Sequence, residues 1–134
     1  GWILEKYHGW SDHDGDVEQA YTKDELLTNI TIYWVTHSIT SASRLYYESR
    51  QGADGRPADS ITVPTSCASF VERYDRRART DAQARVSAAR RFNVVRWTDM
   101  PRGGHFPALE EPDLLLNDIR AFFAELRFTS GDPK

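Results

Sequence analysis

A histidine in a glycine-rich loop is the residue of this sequence that is best suited to catalysis. His105 follows Gly103 and Gly104, which let the backbone turn tightly after a predicted strand. In open α/β sheets, functional loops lie beyond the carboxyl ends of the strands. An imidazole there titrates near neutral pH and can act as a general base. The competing interpretation is a loop histidine that caps the next helix.

Two adjacent tyrosines form the second candidate group. Tyr46 and Tyr47 lie on a predicted helix beside Arg44 and Glu48. A tyrosine hydroxyl can donate a hydrogen bond to an alkoxide as it develops. Tyrosines on amphipathic helices also commonly pack at the edge of a core, so packing is the competing interpretation.

Two carboxylates could assist the histidine. Glu72 and Asp75 follow the first predicted strand, where a carboxylate can orient an imidazole. Acids that stand beside arginines, as these do, also form solvated ion pairs with no catalytic role.

Composition excludes several classes of protein. The 134 residues fit one domain, and a net charge of -3 gives no reason to expect nucleic acid as a partner. No apolar run approaches the ~20 residues of a membrane helix, so no membrane segment is expected. The single cysteine, Cys67, excludes an internal disulfide and a cysteine-built zinc site. The sequence also lacks a phosphate-binding glycine motif and a nucleophile elbow. We therefore predict no cofactor, no metal and a cytoplasmic location.

The predicted elements alternate between helix and strand in the second half of the chain. A capping box at Thr22 and Glu25 starts one helix, and a second helix covers roughly 38–49. Strands are predicted at 61–63, where Pro64 would end the strand, and at 92–97, with a basic helix over 71–91 between them. A final helix begins at Pro112. The order predicts an α/β fold with parallel pairing, and two strands alone cannot complete a parallel sheet.

Six segments in order resemble the C-terminal part of an epoxide hydrolase of the microsomal type, in the α/β-hydrolase superfamily. The segments are 2–6, 24–34, 43–48, 63–65, 102–106 and 110–112. The resemblance covers nearly the whole chain except about 71–90. It implies that residues 1–56 belong to a helical cap, and that residues 57–134 are the last strands and helices of the hydrolase core.

The resemblance also implies a reaction, the addition of water to an epoxide to give a vicinal diol. In this family an aspartate forms an ester with the substrate, two cap tyrosines donate hydrogen bonds to the epoxide oxygen, and a histidine held by a carboxylate activates water. By position, Tyr46 is one oxygen donor and His105 is the base. The family's acid falls at Arg73, so Glu72, one residue earlier, is assigned as the acid in preference to Asp75.

The resemblance further implies that the nucleophile, the oxyanion-hole loop and the first cap tyrosine precede Gly1. We therefore expect the chain to be inactive alone and to need the missing N-terminal part of the fold or a complementing chain. Its small-molecule partners would be an epoxide and water. The alternatives are another capped α/β-hydrolase such as a haloalkane dehalogenase, a non-catalytic remnant, or a binding module whose basic stretch 71–91 holds an anionic partner.

Overall fold

The computed structural model describes residues 1–51, 60–70 and 81–129 of the chain. These residues form six helices, one 3₁₀ turn and two strands. In order they are α1 (Trp2–Trp10), the 3₁₀ turn Val17–Gln19, α2 (Lys23–Val35), α3 (Ile39–Gln51), β1 (Ile61–Ser69), α4 (Asp81–Ala89), β2 (Phe92–Asp99), α5 (Pro107–Glu110) and α6 (Pro112–Thr129). The predicted mixture of helices with parallel strands is confirmed for these residues.

The start of α2 is the capping box that the sequence predicts. The Thr22 hydroxyl accepts a hydrogen bond from the Glu25 backbone N–H at 3.2 Å, and the Glu25 carboxylate accepts one from the Thr22 N–H at 2.8 Å. These bonds satisfy backbone donors that the helix itself cannot use. The Thr22 backbone and hydroxyl groups also lower the pKa of the Glu25 carboxyl.

A small aromatic core joins α1 to α2. The first helix, α1, runs for nine residues from Trp2 to Trp10. Its length brings Tyr7 into a buried cluster with Tyr21 and Leu26. The Tyr7 ring packs edge-on against Tyr21 at 5.0 Å and stacks on Phe106 at 4.7 Å. Because Phe106 belongs to the second half of the chain, this core fastens the two halves together.

The two strands are parallel, and β1 is longer than the sequence predicts. Pro64 was expected to end it, yet β1 runs through Pro64 to Ser69. The register with β2 shifts between Ile61 and Pro64, and the side-chain amide of Asn93 donates to the Thr62 carbonyl at 3.0 Å. Since β2 is the one neighbour of β1 in the described part of the sheet, the missing proline N–H can lie on the unpaired side.

Ion pairs fix the helices on β2. Asp118, on α6, is 8% exposed and accepts hydrogen bonds from Arg96 at 3.0 and 3.2 Å and from the Thr98 hydroxyl at 2.7 Å. Arg85, on α4, reaches Asp99 at 2.5 Å. Arg96, Thr98 and Asp99 all lie on β2, so these bonds tie both α6 and α4 to the strand.

Many large apolar side chains are nevertheless exposed. Among the described residues, Trp34 is 76% exposed, Leu45 66% and Val63 63%. These residues lie on α2, α3 and β1, so each of these elements presents apolar surface to the outside. Separately, no helix within residues 1–51 or 81–129 is long and apolar enough to cross a membrane.

Loss of the buried carboxylate should destabilise the fold. We expect Asp118→Ala to lower the free energy of unfolding by about 2–4 kcal/mol, because the Arg96 guanidinium and the Thr98 hydroxyl lose a buried acceptor. Urea denaturation followed by circular dichroism measures the change. The control is Glu125→Ala, since the exposed Glu125 pairs with the same arginine and should contribute below about 1 kcal/mol. Equal effects for the two variants would contradict the assignment.

Candidate active site

The loop that carries His105 starts where both strands end. Parallel strands bring their carboxyl ends to the same edge, and the Met100 N–H donates to the Ser69 carbonyl at 2.8 Å there. The following residues, 101–106, are the histidine loop. Gly103 has φ +98°, a backbone conformation that glycine adopts without strain. The predicted position of the loop beyond the carboxyl end of a strand is therefore found.

His105 is fixed by aromatic rings and by its own backbone. Its ring lies 4.6 Å from the Trp10 ring and 5.0 Å from the Phe106 ring, centroid to centroid. Its backbone N–H donates to the Trp10 carbonyl at 2.9 Å. The next helix, α5, has Phe106 at its N-cap position and no side-chain cap bond, so capping by His105 is not observed. The exposed imidazole is instead held against the end of α1.

Carboxylates tie the histidine loop to the residues that follow α1. Glu110 accepts backbone hydrogen bonds from Asp12 at 2.7 Å, from Gly104 at 2.9 Å and from Phe106 at 2.8 Å. The Asp12 carboxylate in turn accepts from the Gly103 N–H at 2.9 Å. Residues 10–12 and the histidine loop therefore form one hydrogen-bonded unit.

A buried tyrosine supports this unit from inside. The Tyr21 hydroxyl lies 2.6 Å from the Ser11 hydroxyl, and both side chains are buried. Burial raises the pKa of Tyr21, and the nearby Glu110 carboxylate raises it further. Tyr21 is therefore a neutral hydrogen-bonding group at every physiological pH, and its role is structural.

Tyr46 lines an aromatic cleft of about 590 Å³. The tyrosine is 48% exposed, and its ring meets Trp2 edge-on at 5.5 Å. The aromatic residues of the lining are Trp2, Tyr7, Trp10, Tyr33, Tyr46 and Phe106. Two of these, Trp10 and Phe106, also contact the His105 ring. Trp10 and Phe106 therefore have two roles: they line the cleft that also contains Tyr46, and they contact the His105 ring.

The two tyrosines of the predicted pair are not equivalent. Tyr47 is 66% exposed and borders a neighbouring groove with Ser43 and Gln51, outside the lining of the 590 Å³ cleft. The structure therefore favours Tyr46 over Tyr47 as a group that could touch a bound molecule.

The predicted acid cannot be placed. Glu72, Asp75 and all four arginines of 71–80 lie outside the described residues. The remaining histidines are surface or packing residues. His13 is buried between the His8 carbonyl and the Gly15 N–H, and His37 is exposed at the corner between α2 and α3. Within the described part of the chain, no three His, Cys, Asp or Glu side chains are grouped as metal ligands would be.

Sequence reasoning missed the residues that hold the site. Glu110 occurs in one of the segments that carry the family resemblance, but nothing in its spacing reveals its partners. Its bond to Asp12 spans 98 residues of sequence, and the bond from Gly103 to Asp12 spans 91. Such long-range contacts leave no periodic signal in a single sequence.

Comparison with curated proteins identifies relatives. The chain is 33% identical over 126 residues to a putative epoxide hydrolase of Stigmatella aurantiaca, and the match covers 94% of this chain and 27% of that protein. It is 37% identical to epoxide hydrolase 1 of Sus scrofa, covering 93% of the chain and 28% of the relative. It is 41% identical to juvenile hormone epoxide hydrolase 2 of Ctenocephalides felis, covering 88% of the chain and 26% of the relative. No family model matches the chain.

A solved structure shares the fold. The crystal structure of juvenile hormone epoxide hydrolase from Bombyx mori matches with a TM-score of 0.69 at 24% identity, over 97% of this chain and 34% of that one. The resemblance predicted from the sequence is confirmed: this chain is a homologue of one part of the microsomal and juvenile hormone epoxide hydrolases. It spans between a quarter and a third of the length of the relatives it matches.

The tight contact at Gly104 predicts a strict requirement for glycine. A Cβ there would lie 2.6 Å from the Trp10 carbonyl oxygen and 2.8 Å from the Asp12 nitrogen, which are both backbone atoms. We expect Gly104→Ala to destabilise the protein by about 2–3 kcal/mol in urea denaturation, since the loop must move to make room. Gly9→Ala is the control, because nothing lies within 4 Å of a Cβ there and a helix gains up to about 1 kcal/mol. A neutral Gly104→Ala would disprove the close packing.

Proposed function

We propose that this segment supplies the general base and one hydrogen-bond donor of an epoxide hydrolase. The observation that carries the proposal is the aromatic cleft lined by Tyr46, because two of its walls, Trp10 and Phe106, also hold the ring of His105. Homology to epoxide hydrolases over nearly the whole chain supports the same reaction class.

The chemistry needs these two residue types. An alkoxide is a poor leaving group, so an epoxide opens readily only when its oxygen receives a proton, which a phenol such as Tyr46 can donate. The carbon is attacked by an upstream aspartate, and the C–O bond breaks as the ester bond forms. His105 then removes a proton from water, and the hydroxide attacks the ester carbonyl. The C–O bond to the substrate breaks as the departing diol oxygen takes the proton from the His105 imidazolium. The aspartate releases its carboxyl proton to solvent, from which the Tyr46 phenolate regains its own, so both groups return to their starting states.

The lining favours an apolar epoxide. Six aromatic rings and several aliphatic side chains line the cleft, and its polar side chains other than the tyrosines are Lys6, Asn29, Ser38 and Ser41. Ligand sites of this kind gain affinity from apolar contact and orientation from a few polar groups. Glu72 remains the proposed acid that would orient His105.

The exposed apolar surfaces support the proposal that a further protein segment packs on this one. Side chains such as Trp34, Val63 and Val95 lie on elements that would be covered in a complete α/β-hydrolase. We propose that the missing N-terminal part of the fold, or a complementing chain, covers them and brings the nucleophile. The division into cap and core at residues 56 and 57 and the cytoplasmic location stay predictions.

Removal of the Tyr46 hydroxyl should slow ring opening. The experiment uses a chimaera in which residues 1–134 replace the matching segment of the Sus scrofa enzyme. We expect Tyr46→Phe to lower the rate of ester formation by at least about tenfold, since a proton donor is lost. Rapid-quench kinetics with an aromatic epoxide measures this rate. Tyr47→Phe is the matched control, and an equal rate in the two variants would remove Tyr46 from the mechanism. A haloalkane tested in parallel separates epoxide hydrolysis from dehalogenation.

Removal of the base should stop the second step. In the same chimaera we expect His105→Gln to form the ester and to hydrolyse it at least about a hundredfold more slowly. The protein would then carry the added mass of one substrate, which intact-protein mass spectrometry detects. His8→Gln, which changes an exposed histidine on α1, should show no such adduct. A His105→Gln protein that turns over normally would disprove the assignment.

A further inference from the structure

We propose that Glu110 is the positioning residue of the candidate base, holding His105 through three backbone amides. The inference rests on the proposed function, in which His105 is the base, and it adds a residue for which sequence reasoning assigned no role. Glu110 does not need to touch the substrate. It acts by fixing the backbone on both sides of His105.

The contacts bracket the histidine. Glu110 accepts from the N–H of Gly104, which precedes His105, and from that of Phe106, which follows it, at 2.9 and 2.8 Å. With both neighbouring amides held by one carboxylate, the peptide units around His105 have little freedom to rotate. The N–H of His105 itself is taken by the Trp10 carbonyl at 2.9 Å. Three consecutive amides of the loop are therefore bound.

The third contact joins the loop to the wall of the cleft. Glu110 also accepts from the Asp12 N–H at 2.7 Å, the shortest of its three bonds to backbone amides. Asp12 stands two residues after Trp10, whose ring packs on the His105 ring and lines the cleft. The Glu110 carboxylate thus fixes the position of His105 relative to Trp10, the aromatic residue against which its ring lies.

Charge and shape make glutamate suited to this task. An ionised carboxylate is an acceptor at both oxygens and has room for about four donors, and its bonds to N–H groups are stronger than neutral ones. Glutamine has one acceptor oxygen and an NH₂ group, which would face a backbone N–H. The helix α5 explains how Glu110 reaches back, because Leu109 and Glu110 donate to the Phe106 carbonyl and curl the chain under the loop.

The neighbouring glutamate provides a matched control. Glu111 has the same charge and the adjacent position, but it pairs with the Arg102 side chain at 2.5 Å. Glu111→Gln removes an ion pair at the rim of the loop and leaves all three amide bonds of Glu110 in place.

The test compares Glu110→Gln with Glu111→Gln by nuclear magnetic resonance. We expect Glu110→Gln to speed hydrogen exchange at the amides of Asp12, Gly104 and Phe106 by about tenfold or more, with the amides of α2 unchanged. The ring protons of His105 should lose the ring-current shift that the Trp10 indole imposes. A merely structural role would speed exchange throughout the protein, and it would leave the His105 ring signals of the remaining folded molecules unchanged.

Two results would overturn the proposal. One is a folded Glu110→Gln protein that keeps the His105 ring-current shift. The other is fast and independent hydrogen exchange of the three amides in the wild-type protein. This second measurement needs no variant, so it remains available if Glu110→Gln fails to fold. Neither measurement uses an epoxide, so a negative result bears on Glu110 alone. Intact signals in an inactive chimaera would instead count against the proposed function.

Discussion

The carboxylate of Glu110 accepts hydrogen bonds from backbone amides of two segments that lie far apart in the sequence. Backbone N–H groups at a turn must find acceptors, and a charged acceptor binds them more strongly than a carbonyl does. Because these amides belong to the end of α1 and to the histidine loop, one side chain determines how the two meet. The close approach of Gly104 to Trp10 and Asp12, the ring contact of His105 with Trp10 and the aromatic wall of the cleft all depend on this meeting.

The sheet determines where the histidine loop lies, and the Glu110 carboxylate then fixes the conformation of that loop. Two parallel strands end at one edge, and the buried Asp118 keeps α6 on β2 through Arg96 and Thr98. The strand therefore cannot shift along its axis without breaking the ion pair between Arg96 and the buried Asp118. A rigid strand with a loop at its end is the common way in which α/β proteins present a catalytic side chain.

Local signals in the sequence predicted much of the fold. The capping box at Thr22, the helix predicted over roughly 38–49 and the loop at His105 depend on neighbours within a few residues, and all three are found. The parallel pairing follows from the alternating order of helices and strands, and it is found too. The predicted extent of β1 was wrong. A proline lacks a backbone N–H, and this destabilises a strand only where a neighbouring strand would need that donor. The roles of Glu110 and Asp12 were missed because the bonds that join residue 12 to the histidine loop and to Glu110 span 91 and 98 positions, which a single sequence does not reveal.

We propose that Tyr46 and His105 act on one bound molecule, with Trp10 and Phe106 as walls that both residues share. The most direct measurement is a crystal structure of the chimaera with the diol product bound. We expect a diol oxygen within hydrogen-bonding distance of the Tyr46 hydroxyl, with the ligand packed on Trp10 and Phe106 beside the His105 ring. A diol bound outside this cleft, beyond the reach of both side chains, would contradict it.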